Sequence, residues 1–151
     1  MVNIVHSGNK VRITSFNCNS FRKNIYVIRK LLNVSDIVCL QETFLHVHDN
    51  AYLERVDKNF NFCFVPCTGN VITGGRPKGG LVIFWRETLN NFVKPIVFKD
   101  RFVGIKLENV NENYLIFNTY MPYENGSTDS MISFRNTLAE ITSEINSINE
   151  N

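Results

Sequence analysis

Three side chains able to do chemistry each close a short apolar run: Asn17 after Ile13-Thr14-Ser15-Phe16, Glu42 after Ile37-Val38-Cys39-Leu40-Gln41, and Tyr120 after Leu115-Ile116-Phe117-Asn118-Thr119. An amide and a carboxylate delivered to neighbouring strand ends meet at one rim of a sheet, where a hard cation finds oxygen ligands and a substrate finds access. Each residue also has an ordinary reading. Glu42 can be a solvent-facing carboxylate, Asn17 the cap of the following helix or turn, and Tyr120 a packing aromatic whose hydroxyl reaches water. Only their convergence in space favours the chemical role.

The intervening elements decide whether they converge. After a flexible N-terminus over residues 1–10, Val11 to Phe16 alternates as an opening strand. Asn19 or Ser20 is placed to cap a helix in which Ile25, Ile28, Leu31 and Leu32 recur at helical spacing. Asn33 suits a left-handed stop, and Ile37 to Leu40 is a continuous apolar run of strand length. Strand, crossover helix and strand imply parallel pairing, which puts Asn17 and Glu42 on the same edge. A loop through His46, His48 and Asp49, with a short helical turn near Tyr52 to Val56, leads to Phe60, Phe62 and Phe64, a half-buried strand ending at Pro66. A Gly-rich connection, Cys67 to Lys78, enters strands at Leu81 to Trp85, Phe92 to Phe98 across Pro95, Val103 to Leu107, and Tyr114 to Tyr120. Short turns among these favour antiparallel pairing, so the fold class is mixed α/β rather than doubly wound. Thr128 or Asp129 caps a final amphipathic helix carrying Phe134, Leu138, Ile141, Ile145 and Ile148, read as covering one sheet because two heptads are too few for a zipper.

At 151 residues, 44% hydrophobic and 20% charged, the chain is long and apolar enough to form one globular domain over residues 11–151. Its net charge of +2 neither demands nor repels a polyanion. Cys18, Cys39, Cys63 and Cys67 sit mostly in apolar runs and Met1 to Lys10 carries no hydrophobic leader, so free thiols in a nuclear or cytoplasmic protein are expected. No apolar stretch approaches the ~20 residues of a membrane span. His46-Val47-His48 can chelate, but no third ligand stands at a supporting spacing, and Cys63 and Cys67 lack the second pair of a structural zinc site.

Four segments, taken in order, resemble the endonuclease/exonuclease/phosphatase superfamily: Ile13-Thr14-Ser15-Phe16-Asn17, Asp36-Ile37-Val38-Cys39-Leu40-Gln41-Glu42, Gly75-Arg76-Pro77-Lys78-Gly79-Gly80-Leu81-Val82-Ile83-Phe84 and Asn118-Thr119-Tyr120-Met121-Pro122. The likeness covers about residues 11 to 145. Leu40-Gln41-Glu42-Thr43 and Gly74-Gly75-Arg76-Pro77 look most like the endonuclease domains of LINE-type (non-LTR) retrotransposons, relatives of apurinic/apyrimidinic endonucleases. The resemblance implies a DNase-like two-sheet sandwich flanked by helices, DNA as partner and Mg²⁺ or Mn²⁺ as cofactor. It implies Glu42 as the metal-binding glutamate, Asn17 as the amide that positions it and the scissile phosphate, and Tyr120 as the tyrosine whose hydroxyl contacts the phosphate. Such sites hydrolyse phosphodiesters by stabilising charge on the phosphoryl oxygens. Arg76 and Lys78 in the basic loop, and Asn118, are further candidates for DNA phosphate contact.

The sequence also departs from that pattern. Relatives continue, after a helix like Ser130 to Ile148, into Gly-Asp-Phe-Asn and Ser-Asp-His segments that are not found in this sequence. The resemblance therefore implies the N-terminal half of such a domain. That half lacks the groups that prepare the nucleophile, is expected to be inactive alone, and is expected to expose a sheet edge to a missing C-terminal half or to a second copy. Asp57-Lys58-Asn59 spells Asp-x-Asn but precedes a strand, and reads as a surface turn. Tyr123 stands where many relatives have a small polar residue or Asn, and Lys78 where retrotransposon relatives often have Ser. Three functions remain open: a DNA-nicking retrotransposon endonuclease, a repair nuclease or phosphatase of the same superfamily, and a non-catalytic DNA-binding remnant.

Overall fold

The most apolar segments run through the middle of the larger of two sheets. A computed structural model describes residues 1–6, 9–68, 77–108, 112–123 and 125–149. In chain order the elements are β1 (Val2–His6), β2 (Asn9–Asn17), α1 (Ile25–Val34), β3 (Ile37–Gln41), α2 (Asn50–Leu53), β4 (Phe60–Val65), β5 (Leu81–Arg86), β6 (Val93–Lys99), β7 (Phe102–Leu107), β8 (Tyr114–Thr119) and α3 (Thr128–Asn149). One sheet has the order β1-β2-β3-β5-β4 and the other β6-β7-β8. The expected class, mixed α/β with two sheets and flanking helices, is the one observed.

Both faces of β3 and β5 are covered, which is why neither strand alternates in the sequence. Ile37, Cys39, Leu81, Ile83 and Trp85 face inward with Cys63 and Val65 of β4, meeting Val93, Val103, Ile105 and Leu107 of the smaller sheet. Val38, Leu40, Val82 and Phe84 point the other way, onto Phe21, Ile28 and Leu32 at and within α1 and Leu53 and Val56 at α2. Phe60, Phe62 and Phe64 belong to this second layer while Cys63 and Val65 belong to the first, so β4 is covered on both sides rather than half-buried.

Register places the chemistry. β2 pairs parallel with β3, and Asn17 stands opposite Gln41. β3 and β4 both pair antiparallel with β5, so Gln41 and Val65 each face Leu81. The exits of β2, β3 and β4 and the entrance of β5 therefore share one edge. β8 brings its own exit there through Asn118, a polar residue 1% exposed in the core. Its Nδ2 donates to the carbonyls of Leu40 and Val82, each at 2.9 Å, and its Oδ1 accepts from Gln41 Nε2 at 2.5 Å. The DNA-phosphate contact expected of Asn118 is thus corrected: its amide is spent clasping one sheet to the other. Asn118→Ala is expected to cost about 2 kcal/mol of stability in urea titrations, the value of two buried hydrogen bonds.

Several boundaries differ from the sequence reading. Ahead of Val11, where a flexible N-terminus was expected, β1 pairs antiparallel with β2 from Val2↔Ile13 to His6↔Asn9. Neither Asn19 nor Ser20 caps α1. Both have positive φ, the helix starts at Ile25 behind Asn24, and Asn24 Nδ2 donates to the Cys18 carbonyl. α1 ends in an extended Ser35 instead of a left-handed Asn33, because Arg86 Nη2 reaches the Leu32 and Asn33 carbonyls at 3.1 and 3.3 Å. The helical turn expected near Tyr52 to Val56 is present and begins earlier, running from Val47–Asp49 through α2 to Val56, whose N–H donates to the Leu53 carbonyl at 3.1 Å. β6 accommodates Pro95 beside a register shift on an outer strand. Ser127, not Thr128 or Asp129, caps α3, its Oγ accepting the Ser130 N–H at 3.2 Å. Phe134 and Leu138, expected to cover a sheet, are 36% and 50% exposed. No described helix is long and apolar enough to cross a membrane.

Candidate active site

Glu42 leaves β3 with φ +53°, a left-handed conformation that a residue with a Cβ adopts only under constraint. The constraint is visible on both sides. The Glu42 carbonyl accepts the Ser20 N–H at 2.8 Å, and the N–H groups of Thr43 and Phe44 donate to the Gly80 and Gly79 carbonyls at 3.1 and 3.2 Å. Phe44 is left-handed as well, at φ +56°. Local backbone strain held by surrounding hydrogen bonds is a mark of functional rims.

Gly80 makes this packing possible. Its φ is +83°, and a Cβ there would lie 2.5 Å from Thr43 Oγ1 and 3.3 Å from the backbone nitrogens of Phe44 and Cys67. Thr43 Oγ1 is already buried with no hydrogen-bond partner among the described residues. At Gly79, φ +75°, the nearest atom would be Tyr120 Cδ1 at an ordinary 3.6 Å. Gly80→Ala is therefore expected to cost about 2–3 kcal/mol by steric overlap and φ strain together, against about 1 kcal/mol for Gly79→Ala, in parallel thermal melts.

Glu42, Phe44, Thr68, Pro77, Lys78, Gly79, Asp100, Arg101, Tyr120 and Tyr123 line an open cavity of about 550 Å³. Here the Tyr120 phenol lies within electrostatic reach of the Glu42 carboxylate. Partial burial and the interaction with that carboxylate hold the phenol above its ordinary titration range, while the Arg101 cation opposes them. Tyr120 is fastened through its backbone, its N–H donating to the Arg101 carbonyl at 2.8 Å. Lys78 is held by a pair of 3.0 Å backbone bonds to Thr68 and keeps an exposed side chain.

The structure thus brings Glu42, Tyr120 and Lys78 into one cavity. Asn17 lines the neighbouring one, of about 470 Å³, together with Ser15, Gln41 and Met121, and Tyr120 borders both. Its Oδ1 accepts the Asn19 N–H at 3.2 Å, so it caps the turn after β2, the ordinary role, and presents its amide at the same rim. Arg76, with Gly74 and Gly75, lies outside the described residues. Arg101 was not singled out in the sequence. It sits in the two-residue turn between β6 and β7, and no motif distinguishes it from any other surface arginine.

The other clusters weighed in the sequence make local contacts. His46 and His48 stack at 5.4 Å, and His46 meets the Cys67 sulfur at 3.4 Å. Among the described residues no three His, Cys, Asp or Glu side chains gather closely enough to hold a metal ion. All four cysteines are buried free thiols, and burial pushes Cys39 and Cys63 up to about 12. Asp57-Lys58-Asn59 is the surface turn it resembles, the Asn59 N–H donating to Asp57 Oδ1 at 2.9 Å.

Residues 14–143 match the model of the endonuclease/exonuclease/phosphatase family, and the chain belongs to that family. Among solved structures, a 3′ phosphatase from Neisseria bound to a product DNA hairpin superposes with a TM-score of 0.61 at 17% identity, over 89% of this chain and 51% of that one. An AP endonuclease from Leishmania major gives 0.55 at 16% identity, covering 82% and 43%. One from Archaeoglobus fulgidus gives 0.53 at 21%, covering 78% and 44%. These likenesses concern the fold, and the chain spans about half the length of the structures it matches. No curated protein matches significantly.

Proposed function

We propose that this chain is the N-terminal part of a Mg²⁺- or Mn²⁺-dependent phosphodiesterase domain, a DNA-nicking endonuclease of the non-LTR retrotransposon kind working in the nucleus or cytoplasm. The observation that carries the reading is Glu42, a strained residue held at the shared strand edge whose side chain shares an open cavity with Tyr120.

The donor set fits a hard, hydrated cation. Among the described residues no three His, Cys, Asp or Glu side chains gather around one point, and Mg²⁺ keeps most of its waters and takes one or two carboxylates together with substrate phosphate. Glu42 would hold it, and when bound it would supply charge stabilisation at the phosphoryl oxygens. The remaining roles belong to the chain. Tyr120, kept protonated across the physiological range, donates its hydroxyl hydrogen bond to a phosphate oxygen, Asn17 orients the group from the adjoining cavity, and Lys78 adds a cation at the rim. The described lining contains no histidine to prepare water. The chain alone is therefore expected to bind metal and DNA without efficient turnover.

Paramagnetic Mn²⁺ should broaden the amide signals of Glu42, Phe44, Gly79 and Tyr120 before others, and Glu42→Ala should remove the effect. Uniform broadening would sink the metal reading. Nicking of supercoiled plasmid that needs Mg²⁺ and Glu42 would instead overturn the inactivity of the chain by itself. The likeness to AP endonucleases and a 3′ phosphatase supports a repair nuclease or phosphatase as the second reading, which competition between plain duplex, abasic duplex and 3′-phosphorylated DNA separates.

A further inference from the structure

The modest net charge of the chain hides a segregation. Four of its sixteen Lys and Arg, and none of its fourteen Asp and Glu, fall between Cys18 and Ser35, so this segment carries +4 and the rest of the chain is left at −2. Of the four, Arg22 is answered by Asp49, whereas Lys23, Arg29 and Lys30 are exposed and form no ion pair among the described residues. Ile28 and Leu32 of α1 are fully buried, and the opposite face carries Tyr26, 70% exposed, with Lys23 one turn before it and Arg29 and Lys30 one turn after. The Lys30 Nζ lies 4.4 Å from the centre of the Tyr26 ring. This face begins at the rim of the candidate site and leads away from it. The Ser20 and Phe21 N–H groups donate to the Glu42 and Thr43 carbonyls at 2.8 and 3.0 Å, and α1 then runs back over the larger sheet to Asp36, whose N–H meets the Arg12 carbonyl at the far edge.

Cations without acids attract a polyanion, and an exposed ring set among them adds a platform on which an unpaired base can stack. We infer that the outward face of α1 is a second nucleic-acid contact outside the cavity, a flank that holds single-stranded nucleic acid by its phosphates on Lys23, Arg29 and Lys30 and by one base on Tyr26. A duplex keeps its bases stacked on one another and offers Tyr26 nothing, which is why the occupant is a single strand. An anionic lipid surface suits this face less well: an interfacial helix sinks a broad apolar face into the bilayer, and the apolar face of α1 is taken up by the core through Ile28 and Leu32. The inference rests on the nuclease reading only for the choice of nucleic acid as the polyanion; it places the contact on a different element from the cavity.

The test is anisotropy of a fluorescein-labelled oligo(dT) and of a labelled blunt duplex with the full chain, over a series of NaCl concentrations in EDTA. For oligo(dT), the double variant Arg29→Gln with Lys30→Gln is expected to lower the slope of log affinity against log salt by about 1.4, the loss of two single-strand phosphate contacts. Lys10→Gln with Lys94→Gln, which removes the same charge from exposed positions on β2 and β6, should leave the slope as it is. Tyr26→Ala is expected to weaken oligo(dT) binding on the order of tenfold at unchanged slope and to leave duplex binding as it was, while Tyr26→Phe binds normally. Circular dichroism melts of each variant separate lost contact from lost fold. If the two double variants lose slope equally, or if folded Tyr26→Ala binds oligo(dT) as tightly as the unaltered chain, the assignment of α1 is overturned. It is equally overturned if the unaltered chain ignores oligo(dT) and binds phosphatidylserine vesicles instead. The nuclease reading is tested apart from all of these, by Mn²⁺ broadening that depends on Glu42, and stands or falls on that result.

Discussion

Replacing Glu42 is expected to abolish site-directed Mn²⁺ binding altogether, and the two obvious replacements should then differ in stability in an unusual order. At most positions glycine is less stable than alanine because it frees the unfolded chain. At φ +53° the preference inverts, since alanine keeps the Cβ that makes the left-handed conformation unfavourable. Both variants lose the carboxylate near Tyr120 equally, so that contribution cancels in the comparison. Glu42→Gly should exceed Glu42→Ala by about 1 kcal/mol, some 3 °C in melting temperature for a domain of this size. The unaltered chain should gain stability on adding Mn²⁺, by about 1.4 kcal/mol at tenfold excess over its dissociation constant, and neither variant should respond. If Glu42→Gly melts below Glu42→Ala, the strain reading fails. If the variants still respond to Mn²⁺ as the unaltered chain does, the metal reading fails with it.

The part of this site legible in the sequence was the part encoded in strand ends. A crossover helix between two apolar runs forces parallel pairing, and that alone brought Asn17 and Glu42 to one edge, as the Asn17↔Gln41 register shows. The third member, Tyr120, needed the second sheet to fold back over the first, which no local periodicity states. Asn118 illustrates the limit. A polar residue next to a candidate site tyrosine reads as a ligand contact, and only the fold brings up the two core carbonyls that claim its amide. Arg101 shows the converse. A turn arginine carries no pattern, and only the fold sets its guanidinium 5.5 Å from the centre of the Tyr120 ring in the same cavity. Helix boundaries failed for a related reason: Arg86, 53 residues away in sequence from Asn33, ends α1 through its side chain, so no signal near Asn33 could mark the stop.

Asp36→Ala is expected to produce the largest loss of stability among single substitutions at the edge opposite the site. Asp36 opens the run that ends in Glu42, and its side chain ties three strands together. Oδ2 accepts the Arg12 backbone N–H at 2.9 Å and Arg12 Nε at 3.1 Å, while Oδ1 accepts Arg86 Nε at 3.0 Å. The Asp36 backbone joins in, donating to the Arg12 carbonyl and accepting the Arg86 N–H, each at 2.9 Å. Its side chain is 16% exposed, so these bonds are shielded, whereas the Arg12 side chain at 43% and Arg86 at 29% can regain water when the carboxylate goes. That hydration keeps the loss below the extreme for a buried charge left unpaired, and about 3 kcal/mol is expected at neutral pH. The pH dependence has a definite sign. Burial alone would raise the Asp36 carboxyl, but the hydrogen bonds and charges of Arg12 and Arg86 outweigh it and hold the group below its ordinary value. The stabilisation is therefore fully present above the unfolded pKa of about 3.9 and is lost as pH falls through the depressed folded value. The difference between the unaltered chain and Asp36→Asn should be constant from neutral pH down to about pH 5 and shrink steadily below about pH 4. A difference that stayed constant into strong acid would show that the charge of the Asp36 carboxylate does not hold the β2–β3–β5 edge.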